Sequence, residues 1–243
     1  MTPGRISVIL PYWERPEAAL AGLCSLSQHY RGEDVEVVLV DDGSTSHPAA
    51  RFLAGASLGV AVKLVEMPLK QDPMCPCTPI NRGVDESSGE FIFLSNPETT
   101  HRAPILQEMR RTIETLGPST YVHAAAFCPD TGGWHTHSVY ASAAYHFASM
   151  LRRDLFDKAG GFDEEYRQGN CFDDPDFVQR VLRAGGQFVF RDDLIVDHHK
   201  SGATIFWPRE GWDRNHALFW SKWPDPRCID GTPMTYERLN NWR

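Results

Sequence analysis

Val35-Glu36-Val37-Val38-Leu39-Val40-Asp41-Asp42-Gly43-Ser44 is the stretch on which the fold turns. Its first six residues are mostly β-branched and apolar, a run too short for a helix and suited to a buried strand. It stops abruptly at two acids and a Gly-Ser pair, which is turn chemistry. Upstream, Ile6 to Leu10 is a second short apolar run, closed by Pro11. A helical pattern opens at Pro16, with Leu20, Leu23, Cys24 and Leu26 on one face. Downstream the alternation continues as a short helix around Pro48 to Ala54, a strand from Val60 to Val65, a helix from Pro79 to Glu86 and a strand from Phe91 to Leu94. This rhythm predicts βαβ units and a mostly parallel sheet with helices on both faces. In such sheets ligands bind outside the carboxyl ends of the strands. Asp41-Asp42 and Asn96-Pro97-Glu98 both sit at such ends.

The second half is less regular. Ile105 to Leu116 reads as a helix and Tyr121 to Phe127 as a strand, and Asp130-Thr131-Gly132-Gly133 reads as a turn into a hairpin at Trp134. From Asp173, an apolar stripe of Phe177, Val181 and Leu182 predicts a helix with Asp173 as N-cap and Pro175 in the first turn. Gly185-Gly186 ends it, and Phe188 to Phe190 follows as a strand. The stretch from Ser201 holds five of the seven tryptophans, so residues 1–200 read as the main domain and 201–243 as an aromatic extension packed on it, an acceptor-side lid.

The 243 residues are 42% hydrophobic and 23% charged, the composition of a globular chain rather than a disordered one. The net charge of −8 and the absence of a basic block argue against nucleic acid as partner, though not against a single nucleotide as ligand. No run is long and apolar enough for a membrane span, and a strand-like run by Ile6 leaves no room for a signal peptide. The expectation is a cytoplasmic protein whose six cysteines are reduced.

In order and spacing, several pieces of this chain resemble the inverting glycosyltransferases of family two, which have the GT-A fold. They are Val8-Ile9-Leu10-Pro11, the Asp41-Asp42-Gly43-Ser44 turn, Asn81-Arg82-Gly83, Gly89-Glu90-Phe91-Ile92-Phe93-Leu94, Gly160-Gly161-Phe162-Asp163-Glu164 and Asp173-Asp174-Pro175-Asp176-Phe177. The resemblance implies transfer of a sugar from a nucleotide diphosphate sugar, UDP favoured, to a carbohydrate or glycosylated acceptor, with inversion and with Mn²⁺ or Mg²⁺ as cofactor. It departs where the family has a metal-binding Asp-x-Asp, because here the chain reads Ser95-Asn96-Pro97-Glu98.

The residues the resemblance singles out also have a chemistry of their own. Carboxylates accept the N–H of a uracil ring or ribose hydroxyls, which suits Asp41 and Asp42 to a nucleoside. The alternative is that they shape the turn. Pro11, Asn81, Arg82 and Asn96 join them on the donor side. Glu98 offers a hard oxygen for a divalent cation, and one of His198 and His199 completes the set; which one is not legible, since strand neighbours point to opposite faces. Inversion requires a base for the acceptor hydroxyl, and the family match places it at Asp174 with Asp173 beside it. Helix capping and dipole complementarity are the alternative for both. Trp134, Trp207 and Trp212 offer sugar-stacking faces or ordinary packing. Two other readings stay open: a nucleotide- or carbohydrate-binding module of the same fold without catalysis, and a sugar nucleotidyltransferase. The latter lacks a Gly-rich loop, since Pro11 to Arg15 contains no glycine.

Overall fold

The computed structural model describes residues 1–68, 75–199 and 209–235. The Val35 run is β2 (Val35–Asp41), and β1 (Thr2–Tyr12) lies parallel to it with Ile6 opposite Val35 and Tyr12 opposite Asp41. The remaining elements of the first half are α1 (Pro16–Tyr30), α2 (Ala49–Leu53), β3 (Ala61–Glu66), α3 (Cys77–Asp85) and β4 (Gly89–Ser95). Beyond them come β5 (Thr99–His101), α4 (Leu106–Leu116), β6 (Thr120–Cys128), β7 (Gly133–Thr136), β8 (Ala148–Arg152), α5 (Arg153–Ala159), a 3-10 turn (Glu164–Gln168), α6 (Asp173–Arg183), β9 (Gln187–His198) and α7 (Arg209–Lys222).

The strands form one sheet in the order β3-β2-β1-β4-β8-β6-β9-β5, with β7 hairpinned onto β6. The β3-β2-β1-β4 half is parallel throughout, as right-handed βαβ crossovers require. Past β4 the sheet is mixed: β8 runs antiparallel to β4 and β6, while β6 and β9 are parallel. Alternation within strands feeds two cores. Ile6, Val8, Leu10, Val37, Leu39, Phe91 and Phe93 face α1, α2 and α4, whereas Ile9, Val38, Val40, Ile92 and Leu94 face α3, α5, α6 and α7. Helix α1 buries Ala19, Gly22, Leu23, Leu26 and Tyr30, but Cys24, expected on that face, is exposed. All six cysteines are thiols. No described helix is long and apolar enough to cross a membrane.

Helix α7, absent from the sequence reading, is fastened to the segment from the 3-10 turn into α6 by buried polar contacts. The Asn215 amide donates to the carbonyls of Tyr166 and Cys171 at 2.9 and 3.0 Å, and Trp223 Nε1 donates to Asp176 Oδ1 at 2.7 Å. Its helix therefore braces the turn that leads into α6. Trp207 and Trp242 lie outside the described residues.

Candidate active site at the carboxyl ends of the strands

The parallel register brings the ends of β1, β2 and β4 to one edge, which is where the two acidic clusters meet. Asp41 closes β2 and is buried. Its Oδ1 accepts the Ser44 N–H at 2.9 Å and its Oδ2 the Ala49 N–H at 2.7 Å, so both oxygens hold the turn and the start of α2. Asp42, also buried, donates its own N–H to the Tyr12 carbonyl at 2.9 Å and thereby lies against the end of β1, beside Pro11. The loop after β1 contributes Glu14, which sequence reasoning missed. Its backbone is left-handed at φ +54°, and its carboxylate accepts the N–H groups of Thr45, Ser46 and His47. Burial would raise the Glu14 pKa, but these three donors override it and hold the group below the usual carboxylate range.

Next along the edge, β9 lies antiparallel to β5 with His198 opposite Thr99, and this pairing carries the histidine pair to Glu98. The strand alternation separates the two rings. His198 Nε2 is 3.2 Å from the Asn96 amide nitrogen and 3.8 Å from Glu98 Oε1, whereas His199 Nε2 turns to the Thr100 hydroxyl at 3.2 Å. Burial pulls the His198 pKa down to about 3, with His135 and His146 adding to it, so the imidazole is neutral near pH 7. Burial also pushes the Glu98 carboxyl up, against the opposing pull of Arg15, whose guanidinium lies 3.1 Å away. One carboxylate, one amide and one neutral imidazole converge here. Rotating the Asn96 amide by half a turn would present its oxygen, and such an O/O/N set fits a divalent cation, Mn²⁺ better than Mg²⁺.

Phe147 packs its ring 4.3 Å from that of His198, and its chain neighbour His146 is bonded to Asp174 at the start of α6. The turn before it is strained, with left-handed φ at both Cys171 and Phe172 (61° and 70°), a conformation that costs on the order of 1–3 kcal/mol per residue. Phe172, not Asp173, is the N-cap residue, and Asp173 opens the helix fully buried. Burial and the neighbouring Asp174 charge push the Asp173 carboxyl up, and the Cys75 thiol lies 3.4 Å from its Oδ1. Asp174 does no capping. Its Oδ1 accepts both the backbone N–H of His146 at 2.8 Å and the ring Nδ1 at 2.5 Å. Burial opposes a charged His146, but the Asp174 carboxylate outweighs it and raises the His146 pKa. His146, Asp173 and Asp174 bring ligand atoms within 4.8 Å of one another, close enough to hold a metal ion.

Solved structures with a similar fold include glycosyltransferases. TarS of S. aureus matches over 92% of this chain with a TM-score of 0.67 and 15% identity, and the chain spans 40% of that protein's length. TarS 1-349 in complex with UDP-GlcNAc matches over the same share at TM-score 0.72 and 14% identity, with 68% of that chain covered. The mannosyltransferase PcManGT from Pyrobaculum calidifontis, in complex with GDP-Man and Mn²⁺, matches over 88% at TM-score 0.62 and 16% identity, with 61% of its chain covered. The fold is GT-A. No protein-family model matches the chain, and no curated protein matches it significantly by sequence.

Within this GT-A chain two of the expected donor-side residues are engaged elsewhere. The Asn81 amide donates to the Phe162 carbonyl and to Glu164, and accepts from the Phe162 N–H, tying α3 to the segment after α5. Arg82 pairs with Glu86 at 2.6 Å on the half-exposed outer face of α3. Trp134 packs edge-on against Phe127 and His137, and Trp212 stacks on His216 and abuts Phe172. Arg15 and His146 went unread in the sequence. Each is a single residue in an unremarkable context, and only the folded chain sets it beside a carboxylate.

Proposed function

We propose that this chain transfers a sugar from a nucleoside diphosphate sugar, a UDP-sugar in the first instance, to a hydroxyl of a carbohydrate or glycosylated acceptor, with inversion at the anomeric carbon. The observation that carries the proposal is that two adjacent residues link the groups: His146 is bonded to Asp174, and the Phe147 ring packs 4.3 Å from that of His198, which lies 3.2 Å from Asn96 and 3.8 Å from Glu98. A base and a charge-neutralising site held close to one another are what an in-line displacement needs. Asp42 and the braced 44–47 loop form the nucleoside side, with Asp41 and Glu14 holding it in shape. Glu98 and His198, with Asn96, are the residues suited to a cation; His199 is directed away from them. When bound, that cation supplies positive charge to the departing diphosphate. The His146, Asp173 and Asp174 group is less suited to the role, because the ring nitrogen facing Asp174 bears a proton and the α6 N-terminus disfavours a positive ion.

In the reaction the acceptor oxygen attacks the anomeric carbon, its proton passes to Asp174, and the carbon–oxygen bond to the diphosphate breaks with its electron pair going to the phosphate oxygen. Thermal denaturation with UDP, UDP-N-acetylglucosamine and GDP-mannose, with and without Mn²⁺, tests the reading through preferential binding to the folded state. A rise in Tm with at least one of them, lost in Asp42→Ala, is the expected result; no rise with any would overturn it.

A further inference from the structure

His146 precedes β8, and its neighbours leave its ring and backbone little freedom. Its carbonyl accepts the Ser149 hydroxyl at 2.9 Å, and Ser149 is itself 2.9 Å from the buried Tyr121 hydroxyl. The ring meets Phe162 edge-on at 5.3 Å, and Phe162 stacks at 4.2 Å on Phe177 of α6. One residue is thus locked to the sheet through its backbone and to α6 through its ring. Two of its groups, the main-chain N–H and Nδ1, fall on the same oxygen of Asp174.

That asymmetry has a chemical consequence. A carboxylate whose Oδ1 is held by two donors has only Oδ2 left to take a proton, and its plane cannot rotate without breaking both bonds. We infer that His146 is the positioning residue of the reaction: through Nδ1 it fixes the Asp174 carboxylate so that Oδ2 faces the acceptor hydroxyl. The inference rests on Asp174 being the base, as proposed above. His146 itself touches no reacting atom. Its contribution is orientation, and a misplacement of about 1 Å at a reacting group costs up to about 100-fold in rate.

The side-chain chemistry allows a clean test. Asn places its amide nitrogen where the Nδ1 of His lies, and Gln places its own where Nε2 lies; both keep the main-chain donor and a polar side chain. Release of nucleoside diphosphate from UDP-N-acetylglucosamine and GDP-mannose, with water as acceptor, is measured for wild type, His146→Asn, His146→Gln, His146→Ala and Asp174→Asn, each shown to be folded by its melting curve. His146→Asn is expected within a few-fold of wild type, and His146→Gln about 10- to 100-fold down in kcat with KM for the donor unchanged. On an Asp174→Asn background, His146→Gln should add no further loss. A His146→Gln enzyme at the wild-type rate, a His146→Asn enzyme as slow as His146→Gln, or losses that multiply in the double variant would overturn the inference while leaving Asp174 in place as base. Asp174→Asn at the wild-type rate, or no release from either donor by the wild type, overturns the parent reading and this inference with it. Should His146→Ala fail to fold, the Asn and Gln comparison decides alone.

Discussion

An aspartate in the first turn of a helix ordinarily accepts from the helix's own N–H groups, whereas Asp174 gives its Oδ1 to His146 instead. Asp174→Asn should therefore leave the α6 N-terminus intact and keep donor affinity, while transfer falls by on the order of 10² to 10⁴. Isothermal titration with the donor and a turnover assay on the same preparation read the two quantities separately, and equal losses in both would contradict the assignment. Glu14 poses the opposite case, a carboxylate with a purely architectural task. Its removal leaves three backbone N–H groups of residues 45–47 without their acceptor, on an exposed loop where water replaces part of the loss. Glu14→Ala is expected to lower UDP affinity severalfold with a Tm change of only a few degrees; an unchanged affinity would show that the 44–47 loop does not shape the nucleoside side. Asp41 was legible as a residue of importance, but its sequence context is the same for a turn former and a ligand acceptor. Only its two bonds, to Ser44 and Ala49, show how it is engaged.

At the scale of elements, α7 and the turn before α6 act as one unit. A Cβ built on Gly169 would lie 2.4 Å from Asn215 Oδ1 and 2.5 Å from the Gly211 carbonyl, so helix and turn are in contact with no space between them. Gly169→Ala should push α7 away from the Phe172 turn at a cost of about 1–3 kcal/mol. Because that turn carries Asp173 and Asp174, turnover should fall further than the loss of stability accounts for, which denaturant melts and kinetics on the same variant can check. The shorter elements that sequence reading missed carry too little local pattern to be read. β5 has three residues and α5 seven, too few for a period to show. β8 is a strand because β4 and β6 flank it, and its own five residues carry no alternation.

For the whole molecule, the buried histidines set a pH limit on stability. Burial pulls both His101 and His123 down to about 3, from an ordinary value of 6.5. Their folded pKa lies below the unfolded one, so between these values the unfolded chain binds protons that the folded chain refuses. Stability is then full above about pH 6.5 and falls as the pH drops, at up to about 1.4 kcal/mol per pH unit for each residue. Glu14, Glu36 and Asp163, all held below their ordinary values by hydrogen bonds or cationic partners that outweigh burial, add to the loss at still lower pH. His123 stacks at 5.7 Å on Phe188 and its Nε2 is buried with no hydrogen-bond partner among the described residues. Urea denaturation of His123→Phe at pH 7 and pH 5 should show a shallower acid loss than wild type; an identical slope would place the proton uptake elsewhere.

What the amino-acid sequence by itself determined is the parallel half of the GT-A sheet and the acidic pairs that end its strands. Those signals are local: an apolar run such as Val35 to Val40, a breaker such as Pro11 or Gly43, and an intervening amphipathic period. Which partner each carboxylate engages was decided by tertiary structure alone. Asp41 and Asp42 are identical in sequence terms, as are His198 and His199, and each pair is divided by which face of a strand end it occupies. Arg15 reaches Glu98 across 83 residues of chain, and His146 reaches Asp174 across 28. Contacts over such separations depend on how strands order themselves in the sheet, and no local pattern encodes that order.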